Sequence, residues 1–233
     1  TASTYGGLIW FVKNLNGGKN TMENLRSLEK IPLVIANTGI TASTTEVVTD
    51  VRRLKESNPE KFENIFKEYK VLSDKAKKAL LESDKSLIGE LMNQNHKLLQ
   101  DITVSGEIND KLVEIALNNG ALGAKMTGTG RGGLVIALAK NEKIQEKISK
   151  AIKNSEIISD GVIFTKSVAN LTPNDCTPST LATFSKNIAK KNKMKCSILS
   201  KNDLKKKVFG GIVAVGQGSK KEPKLIVLEH HGG

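Results

Sequence analysis

Four glycines, a threonine and an arginine, Gly128-Thr129-Gly130-Arg131-Gly132-Gly133, are the residues of this 233-residue sequence best suited to chemistry. Without a Cβ, successive glycines let backbone N–H groups turn toward one centre. Such a concavity holds an anion, phosphate above all, and the Thr127 and Thr129 hydroxyls and the Arg131 guanidinium would add donors. The string is neither GxxxxGK[ST] nor a GxGxxG that opens a helix. Taken locally it reads equally as a tight turn, so the residues alone leave both meanings open. Lys125 reads as an exposed strand lysine, with a distal electrostatic role as the alternative. His96 reads as a helix histidine bonded within the fold. His230 and His231 are adjacent imidazoles with no carboxylate cluster beside them, so no metal site is expected. Cys176 has no nearby histidine to activate it, and with Cys196 it forms no CxxC, which suits reduced thiols in a cytoplasmic protein.

Several elements must position these residues. Tyr5 to Val12 reads as a strand, followed by a turn at Asn16-Gly17-Gly18 and a short helix from Thr21. Ile31 to Ile35 is a buried strand ending in the polar turn Asn37-Thr38-Gly39. Ser43 or Thr44 caps a helix through Leu54, with Val47, Val48, Val51 and Leu54 on one stripe. Pro59 opens a helical stretch reaching Gln100, in which Phe62, Ile65, Phe66 and Tyr69 are spaced to face a core. Asp110 opens a further helix that stops at Asn119-Gly120. The glycine loop runs into the strand Leu134–Leu138, and a lysine-rich helix from Asn141 to Lys153 follows. Beyond a change of character near Ser155–Gly161 we expect a strand at Gly161–Phe164 and a helix at Ser179–Lys191. Strands at Lys195–Leu199, Gly211–Val215 and Leu225–Leu228, with a short helix at Asn202–Lys207, complete the pattern. The expected class is α+β for residues 1–155, with helices on a mixed or antiparallel sheet, followed by a smaller α/β segment, 156–233.

The net charge of +12 invites a nucleic-acid reading, but its distribution argues against one. From Ser159 onward there are 13 lysines, no arginine and 5 acids, and no aromatic residue interrupts the Lys205-Lys206-Lys207 run as a base-stacking surface would require. No apolar run approaches the length of a membrane-spanning helix. The opening TASTYGGLIWF lacks the basic region of a signal peptide.

Longer strings carry two resemblances. MNQNHKLLQDITVSGEINDKLVEIALNNGALGAKMTGTGRGG resembles the carboxy-terminal domain of mevalonate kinases, within the superfamily of galactose, homoserine, mevalonate and phosphomevalonate kinases. IANTGITASTTEVVTDV is similar to the same family's strand–turn–helix, with Asn37 where aspartate is customary, and STYGGLIWF to the strand after its catalytic-aspartate segment. This likeness runs from Thr1 to about Ser155. From about Ser159, VANLTPNDCTPSTLATFSKNIAKKN, AVGQGS and LIVLEH resemble the start of the catalytic domain of two-metal cytosolic leucine aminopeptidases.

The first resemblance implies that Gly128, Thr129, Gly130, Arg131, Gly132 and Gly133 line a site for the phosphates of ATP, with magnesium as its companion ion and mevalonate as the acceptor. It also implies a GLGSS-type phosphate loop and a catalytic aspartate, and neither motif occurs in these 233 residues. Likewise the aminopeptidase ligands, a lysine and several acids, belong to a part of that family beyond the matched segment. Phosphoryl transfer rests on positioning and charge stabilisation, so one wall does not supply the reaction. The expectation is therefore a composite chain without a catalytic residue or an intrinsic metal site, binding nucleotide or phosphate weakly. The alternatives are a mevalonate kinase piece complemented by an amino-terminal part and a noncatalytic anion-binding module.

Overall fold

The computed structural model describes residues 7–14, 17–25 and 30–231. The chain divides into two compact units, Thr1–Ile157 and Ile158–Gly233. The first begins with an antiparallel hairpin of β1 (Leu8–Val12) and β2 (Thr21–Leu25), in register from Leu8 opposite Leu25 to Val12 opposite Thr21. The short helix expected from Thr21 is thus a strand. Five residues are too few for a helix to repay its nucleation, whereas β1 offers a ready ladder. Tyr5, at the expected strand start, and Asn16 of the expected turn lie outside the described residues.

The sheet that carries the glycine loop has three antiparallel strands in the order β3 (Leu33–Asn37), β5 (Leu134–Leu138), β4 (Gly123–Thr127). Alternation along these strands turns Val34, Ala36, Ala124, Met126, Val135 and Ala137 toward one core. A second, smaller core surrounds Leu138 on the other side of the sheet.

Four helices lie between β3 and β4 in the chain. Ser43 caps α1 (Thr44–Ser57) by accepting from the N–H of Glu46, and Pro59 opens α2 (Pro59–Leu81) where its missing N–H costs nothing. Within α2, Phe62 and Ile65 are buried, but Phe66 and Tyr69 are 44% and 50% exposed, so only half of the expected core stripe is covered. Asp84 caps α3 (Lys85–Asp101), and α4 (Glu107–Asn118) begins at Gly106, ahead of the expected Asp110. Helix α3 approaches β4 so closely that a Cβ on Gly123 would sit 2.0 Å from the Gly89 carbonyl oxygen.

A fifth helix, α5, runs unbroken from Glu142 to Ala169. It replaces both the expected helix end at Lys153 and the expected strand at Gly161–Phe164. Once the intrahelical ladder is running, each further residue adds a bond at little cost, and one glycine does not stop it. The Thr165 hydroxyl donates to the Gly161 carbonyl at 2.8 Å, a side-chain contact typical of a helix.

In the second unit α6 (Pro178–Lys191) carries a Thr177–Thr180 capping box, and β6 (Lys195–Leu199) pairs antiparallel with β7 (Leu225–Glu229). Between them lie α7 (Lys201–Lys206) and α8 (Gly210–Gly216). The strand expected at Gly211–Val215 is therefore helical. A short apolar run has no periodicity to separate strand from helix, and here the Val213 N–H finds the Phe209 carbonyl at 3.2 Å.

Candidate phosphate-binding loop

The loop between β4 and β5 is held on one side and open on the other. Gly128, Gly130, Gly132 and Gly133 all have positive φ, and Arg131 does too at 48°. The N–H groups of Arg131, Gly132 and Gly133 are already committed, to the Val104 carbonyl at 2.8 Å, the Asn109 Oδ1 at 2.9 Å and the Ile40 carbonyl at 2.9 Å. Gly130 is tightly enclosed, since a Cβ there would lie 2.3 Å from the Val104 oxygen. The N–H groups of Gly128, Thr129 and Gly130 have no acceptor among the described residues. A Cβ on Gly128 would meet nothing within 4 Å, so this half of the loop stands open. Thr129 Oγ1 lies 3.3 Å from Thr44 Oγ1 in the first turn of α1, which sets the positive end of a 14-residue helix against the open half. Three free N–H groups, two hydroxyls and a helix N-terminus suit an oxyanion.

Arg131 turns away from that arrangement. Its Nη1 meets Asp50 Oδ2 at 2.5 Å, and its Nε donates to the Thr103 carbonyl at 3.2 Å. Asp50 therefore neutralises the cation that the sequence offers to a phosphate. The charge available to an anion here is smaller than the residue types suggest. Asn37 acts locally, its Oδ1 accepting from the Gly39 N–H at 3.0 Å in a turn that leads to Ile40.

The NQNH string serves the edge of the sheet. Asn93 Oδ1 accepts from the Ala124 N–H at 2.9 Å, and three residues on, His96 Nδ1 accepts from the Met126 N–H at 3.4 Å. The one-turn spacing on α3 thus matches the two-residue repeat of β4, and the exposed edge of that strand is satisfied. His96 is 5% exposed, and its Nε2 lies 3.1 Å from Asp110 Oδ1 without hydrogen-bond alignment. Burial holds its pKa below the ordinary value, partly offset by Asp110. Asp110 also accepts from the Ser105 hydroxyl at 2.5 Å. His96 is accordingly bonded within the fold, on the helix where the sequence placed it.

Sequence reasoning missed Asn109. It is fully buried and bridges the loop in both directions, accepting from the Gly132 N–H and donating to the Gly132 carbonyl at 2.9 Å. Its signal is positional: Asn109, Val113 and Ala116 share the buried face of α4, where a polar side chain needs a partner. Lys125, expected at the surface, is half-buried, and desolvation lowers its pKa. Cys176 and Cys196 are unpaired thiols. Among the described residues no group of three or more His, Cys, Asp or Glu side chains could hold a metal ion. No described helix is long and apolar enough to cross a membrane.

Residues 76–157, which include the whole loop, match the family of GHMP kinases, C terminal, and the first unit has the fold of that domain. Its relatives are mevalonate kinases. The mevalonate kinase of Pyrococcus abyssi is 39% identical over 158 residues, covering 66% of this chain and 44% of that protein. The crystal structure of L. major mevalonate kinase in complex with R-mevalonate matches with a TM-score of 0.62 at 38% identity, over 66% of this chain and 46% of that one. Residues 163–233 match the cytosol aminopeptidase family, catalytic domain. The probable cytosol aminopeptidase of Cenarchaeum symbiosum is 46% identical over 85 residues, or 36% of this chain and 17% of that protein. The chain thus joins a part similar to mevalonate kinase to a part similar to cytosol aminopeptidase, and it spans no more than half the length of either kind of relative.

Proposed function

We propose that the first unit is one wall of a mevalonate-kinase-type nucleotide site, that it binds the phosphates of ATP through Gly128, Thr129 and Gly130, and that neither unit completes a catalytic site by itself. The observation that carries this reading is the open half of the loop: three adjacent N–H groups without acceptors among the described residues, with the Thr129 hydroxyl beside that of Thr44 in the first turn of α1. The likeness to mevalonate kinases makes ATP with magnesium the natural ligand and mevalonate the acceptor of the complete enzyme, in a cytoplasmic setting. With Arg131 neutralised by Asp50, the affinity expected is on the order of millimolar, about −4 kcal/mol.

Titration calorimetry with ATP and with pyrophosphate tests this. The Thr129→Val variant, which loses a hydroxyl on the open side, should bind several-fold more weakly, whereas neutralising Lys205 and Lys206 in the second unit should change little. Equal weakening by both changes would reduce the binding to nonspecific attraction. No phosphate should pass to mevalonate from the chain alone. Phosphoryl transfer appearing when the amino-terminal half of a related mevalonate kinase is added would establish the complemented-enzyme reading instead.

A further inference from the structure

The Arg131–Asp50 ion pair joins the glycine loop to α1, and the same guanidinium reaches the turn between α3 and α4 at Thr103. The carboxylate contact is single, from Nη1 to Oδ2, and among the described residues Nη2 has the Thr103 hydroxyl alone, at 3.5 Å. The guanidinium fork is far from filled, since it offers five N–H donors and fits a phosphate two bonds at a time. Both side chains remain open to water, Arg131 at 35% exposure and Asp50 at 39%. An ion pair so placed holds weakly, because each ion recovers its hydration when the other leaves. The backbone beneath it is fixed. The Arg131 N–H donates to the Val104 carbonyl at 2.8 Å, and Gly132 is bridged in both directions by Asn109. The side chain can therefore leave Asp50 while the loop keeps its shape.

We propose that this pair is a latch that a diphosphate unit opens: Arg131 exchanges the Asp50 carboxylate for a second phosphoryl group, and Asp50, by competing for the guanidinium, sets the affinity of the loop. The latch rests on the nucleotide reading of the loop and adds what limits its affinity. The free N–H groups, those of Gly128, Thr129 and Gly130, end at the residue before Arg131 and suffice for one phosphate. A second phosphoryl group bonded to the first needs donors of its own, and the nearest uncommitted ones in the chain are those of the next residue's guanidinium. A lone phosphate satisfies the backbone groups without drawing Arg131 from its partner. Asp50 needs no replacement partner when Arg131 departs, because water already reaches it.

Titration calorimetry of the full chain with pyrophosphate and with inorganic phosphate tests the latch. Asp50→Asn, which keeps the shape and removes the charge, should tighten pyrophosphate about tenfold, the effect of one charge-assisted hydrogen bond, and phosphate much less. Loss of a negative charge also strengthens any anion through space, so the substitution is repeated in an Arg131→Gln background, where the gain should all but vanish. An equal gain with and without Arg131 would reduce the effect to that field and overturn the proposal. So would equal gains for phosphate and pyrophosphate. A lower urea midpoint for Asp50→Asn with no tighter binding would make the pair a structural strut instead. If Asp50→Asn fails to fold, judged by circular dichroism, the Arg131 Nε resonance of the parent chain decides: pyrophosphate should shift it and phosphate should not, and a resonance unmoved at saturating pyrophosphate sinks the latch. Parent binding without a gain in Asp50→Asn refutes the latch alone, whereas no saturable binding by either protein refutes the nucleotide reading with it.

Discussion

At the scale of single residues, the glycine loop owes its shape to polar groups outside it. Asn109 alone satisfies both the N–H and the carbonyl of Gly132. Asn109→Ala should strand two buried backbone groups and lower stability by roughly 2–4 kcal/mol, with Asn109→Asp intermediate because it keeps the acceptor. Chemical denaturation of the three proteins gives that order; an alanine variant as stable as the parent would show that the bridge is dispensable. His96 makes stability depend on pH. Its folded pKa lies below the ordinary value of 6.5, so from about pH 6.5 down to that folded value the unfolded chain binds more protons. Stability therefore falls as the pH drops through this window and is recovered as it rises. Urea midpoints at pH 7.5 and 5.5 should differ for the parent, and the difference should shrink in His96→Gln.

At the scale of elements, local signals were strongest where periodicity was long. The helix stops at Gly120 and the start at Pro59 emerge where turn chemistry puts them, and β5 spans Leu134–Leu138 as the apolar run indicates. Two short runs went the other way. Gly161–Phe164 and Gly211–Val215 are both apolar and β-branched, yet both are helical. The reason at Gly161 is the ladder already built from Glu142, which outweighs a few tenths of a kcal/mol of local preference. Substitution tests this element directly, because a Cβ on Gly161 meets nothing within 4 Å. Gly161→Ala should raise stability by about 0.5–1 kcal/mol and should exceed Gly161→Val, the order of a helix. A strand would favour valine, so the reverse order in thermal midpoints would contradict α5.

At the scale of the whole molecule, apolar burial is uneven. The first unit holds both large clusters, around Met126 and Val135 and around Leu138. In the second unit the buried apolar side chains among the described residues are Ala182, Ala189 and Leu204. We expect the two units to unfold separately, the second at lower denaturant. Trp10 fluorescence should report the first unit alone, while far-ultraviolet circular dichroism, which sees the helices of both, should show an earlier transition as well. Superimposable curves would mean that the chain unfolds as one cooperative body.

The sequence by itself determined the two resemblances, the position of the loop and the main helical punctuation, because glycines, prolines and capping residues act over a few positions and leave their mark in the string. It also placed His96 on a helix within the fold. It did not determine what the loop's groups are free to do. The partners that decide this, Val104, Asn109 and Ile40 for the N–H groups and Asp50 for Arg131, lie between about 20 and 90 residues away and meet the loop only once β4 and β5 have paired and α1 and α4 have packed. Lys125 is the same lesson from the other side. Its type predicts solvent, but the close approach of α3 to β4 at Gly89 and Gly123 shields it from water, because a helix that satisfies a strand edge through Asn93 and His96 must lie against that strand.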